Sequence, residues 1–276
     1  MKCISLKLFL LILFIFFLFT TILTIFITHI YHKNLNNIDE FDLEEIELEL
    51  ENNTLHYDED ENNYIEFLQE KYNDKKLIAL TFDDGPSKYT HDLIDELNKR
   101  KIHVTFFVLG ENIEKYPDSL KFAIDSGNEI GIHSYKHKLF TKLSTDEINE
   151  QITLTQDLIY SISPIDITYI RVPYGSINKK VQNTLNTKNL VNILWDVDSL
   201  DWKFKNKTKT YNYTLKKITG NDIILMHDTF KTSVDASLLL IDKLTSEGYV
   251  FVTVSELIEQ REIDIKNKKW YNTSYH

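Results

Sequence analysis

The sequence predicts an α/β protein built on a closed or nearly closed parallel barrel of about seven strands. Three observations predict it. Between residues 77 and 262, apolar runs of strand length alternate seven times with helical stretches, and a helix after each strand returns the chain for parallel pairing. The first run, LIALTFDDGP at residues 77–86, is stopped abruptly by Gly85-Pro86, directly after two adjacent carboxylates. Reactive side chains recur just beyond the later strands, and in a parallel barrel all those ends lie on one face. An open doubly wound sheet has the same local pattern, but no GxGxxG follows the first strand, so dinucleotide binding lacks support.

The repeats follow in order. Helical spacing through Leu93, Ile94 and Leu97 marks residues 89–101, and VTFFVL at 104–109 is a second buried strand ended by Gly110. Tyr116-Pro117 opens a helix through Leu120, Ala123 and Ile124, with Gly127 as its C-cap. Residues 129–132 form a third strand leading into His133, and Ser144 with Glu147 reads as a capping box before a helix reaching about Ser161. Strands at 167–172, 190–196, 223–226 and 249–254 then alternate with helices at 178–185, 211–218, 233–244 and 255–262.

Outside this block the chain changes character. Residues 8–27 are apolar apart from three Thr; as a helix they span about 30 Å, the thickness of a hydrocarbon core. Lys2 and Lys7 precede them and an acidic run follows, which orients the short N-terminus toward the cytoplasm. A retained signal anchor is favoured over a cleaved signal peptide, because the apolar run exceeds a signal h-region and no small-x-small site follows. The expected layout is a cytoplasmic tip and anchor at 1–30, an acidic stalk at 31–75, the globular α/β domain at 76–262 and a tail at 263–276. The net charge of −11 is local: residues 39–61 hold twelve Asp/Glu and no Lys/Arg, so the remainder carries +1. Nucleic acid is therefore not an expected partner. The lone Cys3 excludes an intrachain disulfide and a thiolate metal site. Asn-x-Ser/Thr sequons stand at Asn52, Asn206, Asn212 and Asn272.

The reactive groups carry the functional reading. Asp83 and Asp84 end strand one, His133 and His137 follow strand three, and Arg171 to Tyr174 end strand four. Asp198, Asp201 and Trp202 follow strand five, and His227-Asp228 ends strand six. Each has a bland explanation as a solvated turn or a satisfied core histidine; five such coincidences on one barrel face are far less probable. One carboxylate with two imidazoles makes a three-ligand site with an open position, the pattern of a catalytic zinc. A second carboxylate beside it can act as base and a separate histidine as acid, which suits hydrolysis of an amide or ester.

TFDDGP, HSYKH, RVPYG, DSLDW and ILMHD together resemble the five motifs of the polysaccharide deacetylases, carbohydrate esterase family four, also called the NodB homology domain. The resemblance covers residues 77–260 and implies a distorted (β/α) barrel holding a divalent metal, usually zinc, for which cobalt can substitute. It implies that Asp84, His133 and His137 bind the metal, that Asp83 is the general base and that Arg171 holds Asp83. The Tyr174 backbone N–H would stabilise an oxyanion, Asp198 would pair with His227 as the acid, and Trp202 and Leu225 would line an acetyl pocket. The implied activity is removal of N-acetyl groups from an N-acetylglucosamine polymer, peptidoglycan or chitin, by a membrane-anchored enzyme outside the cytoplasm. The alternatives are a non-catalytic wall-glycan binder, and a deacetylase of another glycan or a small amide.

Overall fold

The structure is a computed structural model and describes residues 71–72 and 75–266. The expected anchor at 8–27, nearly all of the acidic stalk and most of the C-terminal tail lie outside the described residues. Among the described residues no helix is long and apolar enough to cross a membrane.

The strands are β1 (Leu77–Asp83), β2 (Thr105–Leu109), β3 (Glu129–Ser134), β4 (Tyr169–Ile170), β5 (Val191–Asn192), β6 (Val197–Asp198), β7 (Asp222–His227) and β8 (Val250–Val252). They form one parallel sheet in the order β5-β4-β3-β2-β1-β7-β6, with β8 added to the start of β1. β1 is the central strand: all seven residues are buried, because β7 pairs along most of its length while β8 and β2 share its other edge. This explains a continuous apolar run rather than an alternating one.

The helices are α1 (Thr90–Arg100), α2 (Gly110–Ile113), α3 (Pro117–Asp125), α4 (Thr145–Ile162), α5 (Lys179–Thr187), α6 (Asp201–Phe204), α7 (Lys207–Leu215), α8 (Lys231–Ser246) and α9 (Val254–Lys266). Leu93, Ile94 and Leu97 bury the inner face of α1, as their spacing predicts. The capping box on α4 is complete: Ser144 N–H donates to Glu147 Oε2 at 2.8 Å, and Glu147 N–H donates to Ser144 Oγ at 3.2 Å. Gly127, at φ 77°, ends α3 with its N–H on the Ile124 carbonyl.

One strand departs from expectation. Residues 190–196 do not form a single strand; the chain pairs briefly with β4 as β5, then crosses and pairs with β7 as β6. Between the two pairings, the Ile193 and Leu194 carbonyls accept hydrogen bonds from the Arg171 guanidinium, both at 3.1 Å. A side chain thus takes acceptors that a ladder would use. The outcome is a curled parallel sheet, a half-barrel, with its open side between β5 and β6.

Candidate active site

The site is assembled where β1, β3, β4 and β7 end. β1 delivers Asp83, 3% exposed, and the chain then turns through Asp84 at φ 69°. Of the nine non-glycine residues with positive φ among those described, Asp84, His137, Tyr174 and Leu200 lie in the segments that carry this site and Ser134 ends the strand that leads into one. Conformations costly for L-residues are therefore concentrated where side chains must be aimed.

Asp83 is held by a fully buried Arg171. Arg171 Nη1 donates to Asp83 Oδ1 and to Thr81 Oγ1, each at 2.7 Å. Burial of a lone guanidinium is costly, and it lowers the pKa of Arg171; the Asp83 charge and hydrogen bond oppose that effect. The Phe107 ring lies 4.2 Å from the guanidinium carbon and supports its flat face. Phe107 in turn fits because Gly131 has no side chain, since a Cβ there would stand 2.5 Å from the ring. With Oδ1 engaged, Asp83 Oδ2 is the oxygen closer to His133, 3.8 Å from its Nε2.

Asp84, His133 and His137 converge, the three residues that the family resemblance implies as ligands. Asp84 Oδ1 lies 3.5 Å from Nε2 of each histidine, and one ligand atom from each of the three residues falls within 4.8 Å of the others. The donor chemistry fits a cation. Asp84 Oδ1 is a buried oxygen without a hydrogen-bond donor among the described residues, an arrangement that is costly unless a positive charge satisfies it. His133 Nδ1 is 2.6 Å from the Arg171 carbonyl, which accepts its proton and leaves the Nε2 lone pair facing Asp84. Burial lowers the pKa of His137, which keeps that ring neutral and able to ligate.

His227 stands on the opposite side, its Nε2 3.9 Å from Asp84 Oδ2. Its partner is Asp201, which corrects the pairing expected for Asp198. Asp201 Oδ1 is 2.8 Å from His227 Nδ1, and its Oδ2 accepts the His227 backbone N–H at 2.8 Å. Asp198 is level with Leu225, two residues short of His227, and its carboxylate instead accepts the Leu200 N–H at 2.8 Å. That turn places Leu200 in the left-handed region and starts α6 with Asp201 under the imidazole. Asp198 therefore shapes the loop and Asp201 makes the contact. Burial pulls the His227 pKa down, but the Asp201 hydrogen bond and charge, with Asp83 and Asp84 behind them, push it up to about 9. Asp201, fully buried, is held below its ordinary pKa because the His227 contacts outweigh burial. The DSLDW motif offered two carboxylates three residues apart, and spacing alone did not choose between them.

The remaining expected residues differ in exposure. Tyr174 is 65% exposed, with its ring edge-on to His137 at 4.5 Å. Trp202 follows Asp201 and is 48% exposed, whereas Leu225 is buried on β7. Asp228, for which the sequence suggested no role, is fully buried under the Gly85 turn and accepts a hydrogen bond from Thr90.

Comparison with known proteins shows the family. The polysaccharide deacetylase family profile matches residues 70–193. The peptidoglycan-N-acetylmuramic acid deacetylase PdaC of Bacillus subtilis is 43% identical over 189 residues, covering 68% of this chain and 40% of that protein. The chain thus spans well under half of that relative. A peptidoglycan-N-acetylglucosamine deacetylase of Bacillus cereus is 33% identical over 195 residues, covering 68% of this chain and 91% of that one. The solved structure of Bacillus subtilis PdaC superposes with a TM-score of 0.66 at 43% identity, over 72% of this chain and 98% of that chain. The chain belongs to the polysaccharide deacetylase family.

Proposed function

We propose that this protein is a metal-dependent hydrolase that removes N-acetyl groups from an N-acetylated wall glycan, peptidoglycan above all, outside the cytoplasm. The observation that carries the reading is the Asp84–His133–His137 triangle with Asp83 and His227 on either side. Asp83 Oδ2 is 3.8 Å from His133, and His227 Nε2 is 3.9 Å from Asp84. A glycan-binding protein without turnover needs no such acid–base pair. Asp84, His133 and His137 would hold the divalent cation, zinc in this reading, which when bound supplies a Lewis acid and lowers the pKa of water.

The protein's own groups perform the proton transfers. Asp83 Oδ2 takes a proton from the attacking water as its oxygen bonds to the amide carbon, and Arg171 keeps Asp83 oriented. The Tyr174 backbone N–H faces the developing oxyanion. His227 Nε2 gives its proton to the amide nitrogen as the C–N bond breaks, so acetate and a free amine leave, while Asp201 stabilises the imidazolium. Trp202 and Leu225 border the methyl group. The apolar segment at 8–27 would tether the domain to the membrane with the acidic stretch as spacer.

Acetate release from peptidoglycan and from chitin oligomers, followed by mass spectrometry with zinc supplied, tests the proposal. Acetate from either substrate supports it; no acetate from any acetylated glycan by folded, metal-loaded protein overturns it.

A further inference from the structure

Beside the proposed acid stands a concentration of positive charge that the reaction does not use. Between Trp202 and Asn221 the chain has six Lys and no Asp or Glu, in a protein whose net charge is −11. All six are exposed. Some exposed lysines elsewhere pair with carboxylates, as Lys99 does with Glu96 and Lys121 with Asp125, and others do not; what sets this segment apart is the absence of any acid among its six lysines. Among the described residues, Lys203, Lys205, Lys207 and Lys209 form no such ion pair. Two of the four lie over aromatic rings instead: Lys209 Nζ is 4.3 Å from the Phe204 ring centre and Lys205 Nζ is 4.8 Å from that of Phe230. Phe204 packs edge-on against Tyr213 at 5.4 Å, and Lys217 lies 5.9 Å from the Tyr213 ring centre.

This ledge is continuous with the site. It begins on α6, whose first residue, Asp201, holds His227, and Phe230 lies three residues beyond His227. A glycan strand extending from the acetyl pocket past Trp202 meets it. Unpaired ammonium groups on an aromatic floor suit a sugar chain that carries anions and give a neutral one nothing to pair with.

We infer that residues 202–217 form a subsite for the anionic groups of a carboxylate-bearing glycan, such as a strand whose peptide-free muramyl residues carry lactyl carboxylates, and that this subsite sets a preference for such a strand over a neutral polymer. The inference rests on the deacetylase reading and adds a charge-reading subsite to it. Contiguity with His227 favours the glycan over an anionic membrane surface as occupant.

The test compares the full chain with a variant in which Lys203, Lys205, Lys207 and Lys209 are all changed to Gln, and with a Lys→Arg set at the same positions. The substrates are peptide-free peptidoglycan strands and neutral chitotetraose. The ratio of kcat/KM on the acidic strand to that on the neutral one should fall about ten-fold in the Gln variant, through KM, as four modest exposed ion pairs are lost. The Arg set should retain the ratio, and raised salt should erode it in the wild type. An unchanged ratio in the Gln variant overturns the inference. So does a variant that loses only binding to phosphatidylglycerol vesicles. If no acetate appears with either substrate, the deacetylase reading fails, and calorimetric binding of the acidic strand still decides the ledge: equal affinity in wild type and Gln variant overturns it.

Discussion

The exchange of Asp198 for Asp201 as the partner of His227 leads to a quantitative test. In Asp201→Asn the buried negative charge is removed while shape is kept. The His227 pKa, held at about 9 against an ordinary 6.5, loses its main support, and burial then acts to take it to 6.5 or below. A cation bound at Asp84 cancels that carboxylate's contribution in both proteins, leaving Asp201 as the difference. The group acts as an acid, so activity is present below its folded pKa and lost as pH rises through it. With the wild-type limb at or below about 9, the protonated fraction at pH 8 falls from at most about nine-tenths to about 3%, a loss of kcat of up to roughly thirty-fold; at pH 6 the loss is under about two-fold. The assay is kcat against pH from 5.5 to 10 for acetate release by zinc-loaded enzyme. Asp198→Asn, which removes that carboxylate's charge while its amide oxygen can still accept the Leu200 N–H, should leave the alkaline limb in place. If Asp198→Asn moves that limb and Asp201→Asn does not, the assignment drawn from this geometry is wrong.

Other outcomes follow from the same contacts. Asp83→Asn should keep stoichiometric zinc while kcat drops by about 10²–10⁴, because the base is lost but the three ligands remain; near-normal turnover would remove Asp83 from that role. His133→Ala should lose both metal, measured by atomic absorption, and activity, and a chelator should inactivate the wild type until zinc or cobalt is restored. Gly131→Ala drives a methyl toward the Phe107 ring, 2.5 Å away, and should cost about 1–3 kcal/mol in denaturant unfolding while loosening Arg171. Burial raises the Asp228 carboxyl from 3.8 to about 7. That acid binds its proton more tightly when folded, so its contribution to stability declines as pH rises from 3.8 and levels off above about 7. Asp228→Asn should flatten that part of the melting temperature–pH curve.

The local grammar of the chain carried much of this protein. The run at 77–86, the Ser144–Glu147 box, Gly127 and the i, i+4 histidines are signals complete within a few residues. They identified β1, α4, the end of α3 and the pairing of His133 with His137, because periodicity, capping and turn chemistry act over one or two turns of chain. The site's location was legible for a related reason: parallel strands bring their C-terminal ends to one face whatever their exact register.

Tertiary structure decided what depends on register and on burial between distant segments. Asp198 and Asp201 are chemically equal in the sequence; only the β6–β7 pairing and the left-handed turn at Leu200 put one of them under His227. The expected strand at 190–196 gave way because Arg171, some twenty residues earlier, takes the carbonyls of Ile193 and Leu194. The lysines after Trp202 carry no signal of their own in the sequence; only the fold seats Lys205 and Lys209 over the rings of Phe230 and Phe204. A sequence specifies such competitions only through the whole packed molecule, since a buried donor takes whichever acceptor the fold brings within about 3 Å.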